Sequence, residues 1–335
     1  MRLTAGKAIL GAILASAALL LTLPASAGAA RNLYAVSGTP GDAVSIFGFG
    51  AGGAATPSTG ITNPFPEPSA DPRNAAMSPD GGTLYVANTG GQSIVPHEVA
   101  ANGSLTAQAA TATGGAPAGL TVTADGAFVY VANSADDTIS GYSVDADGTL
   151  TELSASPFAG GTTPFGVAST PDGQNLYVTN ANGTSVSAYA IASDGALTEL
   201  AGSPYGSAAA PRGASVTPDG RFLYVANYSA DRISGYAISA DGSLAPLAGS
   251  PFGTLNGPFA TAISPSGTRL FAAAADGGVV GSLAIAANGA LSDQSSSPAG
   301  TTVNSVVVNP AGSNVYAAAG APSNQLFSYS VAAAA

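Results

Sequence analysis

The chain has 335 residues, 46% of them hydrophobic and only 8% charged, with eight basic against nineteen acidic residues and a formal charge of −11. A field of that sign repels nucleic acid and anionic membranes, so neither is expected as a partner. The absence of cysteine excludes disulfides and thiolate chemistry, and Lys7 is the only lysine, which excludes a Schiff-base mechanism from the body of the chain.

The first stretch reads as a secretory signal. Arg2 and Lys7 form a basic leader, Ala8 to Leu23 an apolar core and Ala25-Ser26-Ala27 a small-residue cleavage site, with the cut expected before Gly28. No cysteine lies near the cut, so a lipid anchor is not indicated, and no later apolar run is long enough to span a bilayer. The expectation is a signal over residues 1–27 and one exported domain over residues 28–335, secreted or held at the cell surface.

Asn32-Leu33-Tyr34-Ala35-Val36 then opens the first copy of an internal repeat, without the turn that precedes the others. Tyr34 to Tyr85 spans 51 residues, an insertion stiffened by Pro57, Pro64, Pro66, Pro68 and Pro72. From there Gly-centred turns recur at Gly81, Gly126, Gly173, Gly220, Gly267 and Gly312, spaced 45, 47, 47, 47 and 45 residues apart. Each precedes a short apolar run with an aromatic second residue, such as Leu84-Tyr85-Val86-Ala87-Asn88. A period of this size with several short strands per unit predicts a β-propeller.

A second glycine refines the unit. Asp147-Gly148, Asp194-Gly195 and Asp241-Gly242, with Asn102-Gly103 and Asn288-Gly289 in the same slot, mark hairpins between apolar runs. Six residues before that glycine stand Tyr142, Tyr189 and Tyr236, with Leu283 in the equivalent place. The unit is therefore a four-stranded antiparallel blade, for example an inner strand over 165–170, then 176–180, 185–191 and an outer strand over 196–200. Seven second and seven third strands can be counted, the last over 325–331, but only six inner and six outer ones. The expected fold is all-β, a seven-bladed propeller whose ring closure is incomplete by this count, through an irregular closure, a truncated C-terminus or a short edge from residues 28–31.

Residues at the mouth of such a ring are the candidates for function, because loops from every blade converge over the channel. Arg73 and Arg212 open inner strands three blades apart, so they should face each other across the funnel and could clamp a carboxylate or sugar acid. The structural alternative for each is a salt bridge to a loop acid such as Asp71 or Asp231. Asn88, Asn133, Asn180 and Asn227 end second strands at the same mouth, where their first task is to cap loops. The loops 134–137 and 228–232 add Asp136, Asp137, Asp231 and Arg232.

Other groups read as structural. His97, the only histidine, occupies the slot that tyrosines fill on other third strands, away from the axis, so no Ser-His-acid triad can be built at the mouth and no Gly-x-Ser-x-Gly elbow is present. Eight of the nineteen acids directly precede a glycine, which marks turn geometry; Asp145-Ala146-Asp147-Gly148 starts like a calcium loop but lacks the downstream ligands. No metal or cofactor is expected. The Asn-x-Ser/Thr sequons at Asn102, Asn182 and Asn227 carry little weight in a chain of bacterial character.

Taken together, Pro-Asp-Gly, Leu-Tyr-Val-Ala/Thr-Asn, Ile-Ser-Gly-Tyr and Asp-Gly-x-Leu resemble the seven-bladed lactonase-like propellers. These include the propeller-type 6-phosphogluconolactonases and the YVTN-repeat surface proteins, and Tyr177-Val178-Thr179-Asn180 is that tetrapeptide. The resemblance covers nearly the whole chain after residue 28 and is more specific for fold than for activity. In the lactonase branch an inner strand opens Gly-Pro-Arg-His and a Glu follows the next Val-Asn. Here Ala210-Pro211-Arg212-Gly213 keeps the arginine and lacks the histidine, Tyr228 follows Asn227, and Asp71-Pro72-Arg73-Asn74 is a second partial match. The leading expectation is a ligand- or protein-binding scaffold with its site at the mouth. A lactone hydrolase is the alternative, with Arg212 and Arg73 orienting the carbonyl and a loop acid such as Asp231 activating water. A structural envelope protein is the third.

Overall fold

The computed structural model describes residues 3–5, 20–22, 32–37, 43–49, 55–59, 65–66, 71–253, 255–320 and 325–331. The expected cleavage site, most of the leader, Pro64, Pro68, residues 28–31 and the final alanines lie outside them. Seven antiparallel sheets form the blades of a propeller.

Blade 4 shows why the repeat folds as it does. Its strands are Pro164–Ser169, Asn175–Asn180, Ser185–Ile191 and Leu197–Glu199, paired in sequence order from the axis outward. The inner turn closes because Thr170 donates to Asp172, whose carboxylate also accepts the Gln174 N–H at 3.0 Å, while Gly173 takes a φ of 71° that a side chain would resist. In the same turn of blade 2 the Ser78 hydroxyl and the Gly82 N–H hold the Asp80 carboxyl below the usual carboxylate range. Seven of the eight Asp-Gly acids thus serve their own turns, Asp276 being the exception. In the hairpin that resembles a calcium loop, Asp147 accepts from Thr149, and Asp145 accepts from Thr149 and Thr151.

The strand count is completed from the N-terminal segment. Leu3–Ala5 pairs with Gln325–Val331 as the outer strand of blade 7, and Leu20–Thr22 pairs with Asn32–Ser37 as the inner strand of blade 1. The register matches the repeat: Leu3 lies opposite Val331 as Leu105 lies opposite Val99 and Leu150 opposite Val144. The ring is therefore closed, a correction to the open ring implied by counting. Counting missed these strands because neither carries the turn chemistry by which the other blades are recognised. The same residues fall in the segment that reads as a secretory signal.

Between neighbouring blades lies a packed apolar cluster, such as Tyr130, Ile139, Leu176 and Val178 between blades 3 and 4. Burial of each such side chain is worth about 1.5–3 kcal/mol. Tyrosine hydroxyls bolt the blades together in both directions. Tyr34, Tyr85, Tyr130, Tyr177 and Tyr224 on second strands donate forward to the carbonyls of Gly103, Gly148, Gly195, Gly242 and Gly289 in the next blade. Tyr142, Tyr189, Tyr236 and Tyr329 on third strands donate backward to Ala112, Ala159, Gly206 and Pro298. His97 is fully buried on Ser93–Val99 with Nδ1 3.1 Å from the Val95 carbonyl, remote from the inner strands.

Candidate functional site at the channel mouth

Each inner strand of blades 2 to 7 is preceded by a residue in the left-handed region: Asp71, Ala116, Thr163, Ala210 and Thr302 at φ 51–58°, and Gly257 at 65°. Its carbonyl accepts an N–H from the loop that follows the same blade's second strand, as Thr89 to Asp71 and Tyr228 to Ala210, both 2.9 Å. This bend brings one residue from each of blades 2 to 7 to the mouth: Arg73, Ala118, Phe165, Arg212, Phe259 and Asn304. A cavity of about 470 Å³ runs down the axis, and all of these except Arg212 line it.

Arg212 belongs to an aromatic cluster. Its guanidinium carbon lies 4.6 Å from the Phe165 ring centroid and 5.9 Å from that of Phe259, and the two rings meet edge to face at 5.6 Å. Tyr228 packs edge-on against Phe259 at 6.2 Å. Among the described residues no acid lies within ion-pair distance of Arg212, and its buried Nε has no hydrogen-bond partner. Burial lowers its pKa from the ordinary arginine value, which leaves it charged. Cation–π contact supplies about 0.5–2 kcal/mol, but an orphaned buried donor costs about 1–3 kcal/mol. Thr179 fixes the strand from behind, donating to the Arg212 carbonyl at 2.6 Å and accepting the Gly166 N–H at 2.8 Å.

The remaining expected site residues are placed as follows. Arg73 is half-exposed and pairs with Asp71 at 3.2 Å. Asp136 accepts the Gly115 N–H, Asp137 that of Thr163 at 2.7 Å, and Asp231 that of Gly257 at 2.8 Å, so each bonds the backbone of a neighbouring loop. Arg232 is exposed, and its carbonyl accepts from Asn227. Asn88, Asn133, Asn180 and Asn227 are buried. Asn133 donates to Thr138 and Ser140, Asn180 to Ser185 and Ser187, and Asn227 to Ser234 while accepting from Ser207. They tie second strands to third strands and loops.

Sequence reasoning missed Phe165, Phe259, Asn304 and the pair Tyr228–Asp276, in which the hydroxyl donates at 2.8 Å. The first three had a usable signal, since they occupy the position of Arg73 and Arg212 in the repeat. Tyr228 and Asp276 had none.

A seven-bladed β-propeller with an arginine-bearing mouth over an axial cavity is the class defined by these observations. The chain belongs to the family described as Lactonase, 7-bladed beta-propeller, whose model matches residues 62–163, 149–258 and 202–308. No curated protein matches it in sequence. Among solved structures, a candidate 6-phosphogluconolactonase of Bacteroides uniformis superposes with a TM-score of 0.70 at 21% identity, over 83% of this chain and 85% of that one. One from Bacteroides fragilis gives 0.68 at 20%, covering 84% and 95%. The periplasmic gluconolactonase of Pseudomonas aeruginosa gives 0.64 at 18%, covering 85% and 97%. At these identities the likeness is one of fold.

Proposed function

We propose that the protein is an exported propeller that binds a small acidic ligand beside Arg212 without hydrolysing it. The observation that carries this reading is a half-buried guanidinium at the mouth with no acid opposite it, in a cluster of Phe165, Phe259 and Tyr228. A ligand carboxylate would supply the missing charge-assisted bonds. Export rests on the pattern of Arg2, Lys7 and the apolar run Ala8 to Leu23, and on this reading the segment stays on the exported chain, because Leu3–Ala5 and Leu20–Thr22 complete blades 7 and 1.

Lactone hydrolysis is the second reading, and membership of the lactonase family favours it. It requires a base, and the acids of the mouth are engaged elsewhere: Asp71 with Arg73, Asp276 with the Tyr228 hydroxyl, and Asp136, Asp137 and Asp231 with backbone N–H groups. Tyr228 cannot serve at neutral pH, because its bond to Asp276 raises its pKa above the ordinary phenol value and keeps it protonated. Hydrolysis of an aldonolactone panel by the full chain, with Arg212→Ala in parallel, tests the choice. Turnover well above the spontaneous rate and lost in the variant would establish the lactonase; no turnover from folded protein is the expected result.

A further inference from the structure

The channel beside Arg212 is polar on one side only. Asn74, Asn304 and Ser305, on the walls from blades 2 and 7, carry no side-chain hydrogen bond among the described residues, and the Ser305 hydroxyl is buried. On the same side Arg73 donates from its Nε to Asp71, while Thr89 donates to the Pro117 carbonyl, Ser134 to that of Ala116, and Thr261 bonds Ser215. From blade 3 to blade 6 the wall is Ala118, Leu120, Phe165, Val167, Ala214 and Phe259.

We propose that the ligand is a carboxylate with a flat apolar body, an aryl or unsaturated alicyclic acid, rather than a polyhydroxylated sugar acid or its lactone. This rests on the reading that an acidic ligand sits beside Arg212. A sugar acid brings several hydroxyls into a cavity whose available polar side chains, Arg73, Asn74, Asn304 and Ser305, all lie on one side. Those facing Phe165, Val167 and Phe259 would be stripped of water with nothing to bond. A flat ring meets the same wall through apolar burial and edge-to-face contact with the two phenyl rings, which already adopt that geometry with each other. The carboxylate then takes the unpartnered guanidinium. Asn304 and Ser305 accommodate at most a small polar substituent on the far edge of the ring.

The test is calorimetric titration of the full chain with phenylacetate, gluconate and the neutral 2-phenylethanol. Phenylacetate is expected to bind at least about tenfold tighter than either of the others. Arg212→Met, which keeps the packed stem, should weaken phenylacetate by about tenfold and leave 2-phenylethanol unchanged. Phe165→Leu should weaken phenylacetate by a smaller factor while the melting temperature stays close to that of the unmodified protein. Gluconate binding as tightly as phenylacetate, and depending on Arg212, would overturn the ligand class and leave the acidic-ligand site standing. Binding of neither acid in an Arg212-dependent way would overturn both. If Arg212→Met does not fold, the ranking of the three probes on unmodified protein decides the class.

Discussion

Blades 3 to 6 and the arc formed by blades 7, 1 and 2 follow the same repeat, yet they build different walls. In blades 3, 4 and 5 the residue after the mouth position is Gly119, Gly166 or Gly213. A Cβ at Gly119 would run into the carbonyl oxygen of Phe165, and one at Gly166 into that of Arg212, so adjacent inner strands come nearly into backbone contact. This approach gathers Phe165, Arg212 and Phe259 into one cluster. Across the channel the same position holds Asn74 or Ser305, and the mouth residues there are Arg73, paired with Asp71, and Asn304. Residues common to all blades build the ring; departures from the repeat at two positions give its mouth a chemical polarity.

Removing residues 1–27 should have the largest effect on this contrast. It takes away Leu3–Ala5 and Leu20–Thr22 and leaves two unpaired strand edges on the arc side. The shortened chain is expected to melt well below the full chain and to associate with increasing concentration in size-exclusion chromatography. Equal melting and a monodisperse monomer would show that these strands do not hold the ring. On the close-packed side, Gly166→Ala should cost about 1–3 kcal/mol in denaturant unfolding, because backbone atoms rather than a flexible side chain must move. The same experiment on Ser305→Ala should change stability little, since that hydroxyl has no partner to lose.

A smaller and more uniform effect is expected from the tyrosine bolts. Tyr177→Phe removes a 2.9 Å bond to the Gly242 carbonyl and should cost about 1 kcal/mol in chemical denaturation. Phe271 occupies the same position in blade 6, so the slot accepts a phenyl ring without repacking. The tyrosines of several blades together should show in an alkaline titration of stability. Burial pushes the pKa values of Tyr34, Tyr85, Tyr142, Tyr189 and Tyr316 up to about 12, against about 10 in the unfolded chain. The folded state holds the proton more tightly, so the contribution is complete below pH 10 and is lost as pH rises toward 12. Urea midpoints should therefore be flat on the neutral side and fall between pH 10 and 12; a flat profile through that window would contradict the buried network.

Most of the frame was legible in the sequence because its signals are local. Pro-Asp-Gly and Asp-Gly fix turns through contacts within a few residues, as Asp172 does with Thr170 and Gln174. The apolar second strands and their tyrosines follow from a fixed period, which together set the blade and the number of blades. The site was legible only in part. Arg73 and Arg212 could be placed at the mouth by their position in the repeat, and Asp71 could be named as a partner, but the surroundings of Arg212 could not be read from it. Arg73 meets Asp71 two residues away, whereas Arg212 meets phenyl rings about a blade away on either side in sequence. The latter contacts are set by how closely inner strands approach and how the ring curves. Only the tertiary structure committed Asp231 to the Gly257 N–H and left Arg212 between Phe165 and Phe259 without an acid. The closing strands belong with them, since Leu3–Ala5 and Leu20–Thr22 are recognised by the edges they pair with rather than by any pattern of their own.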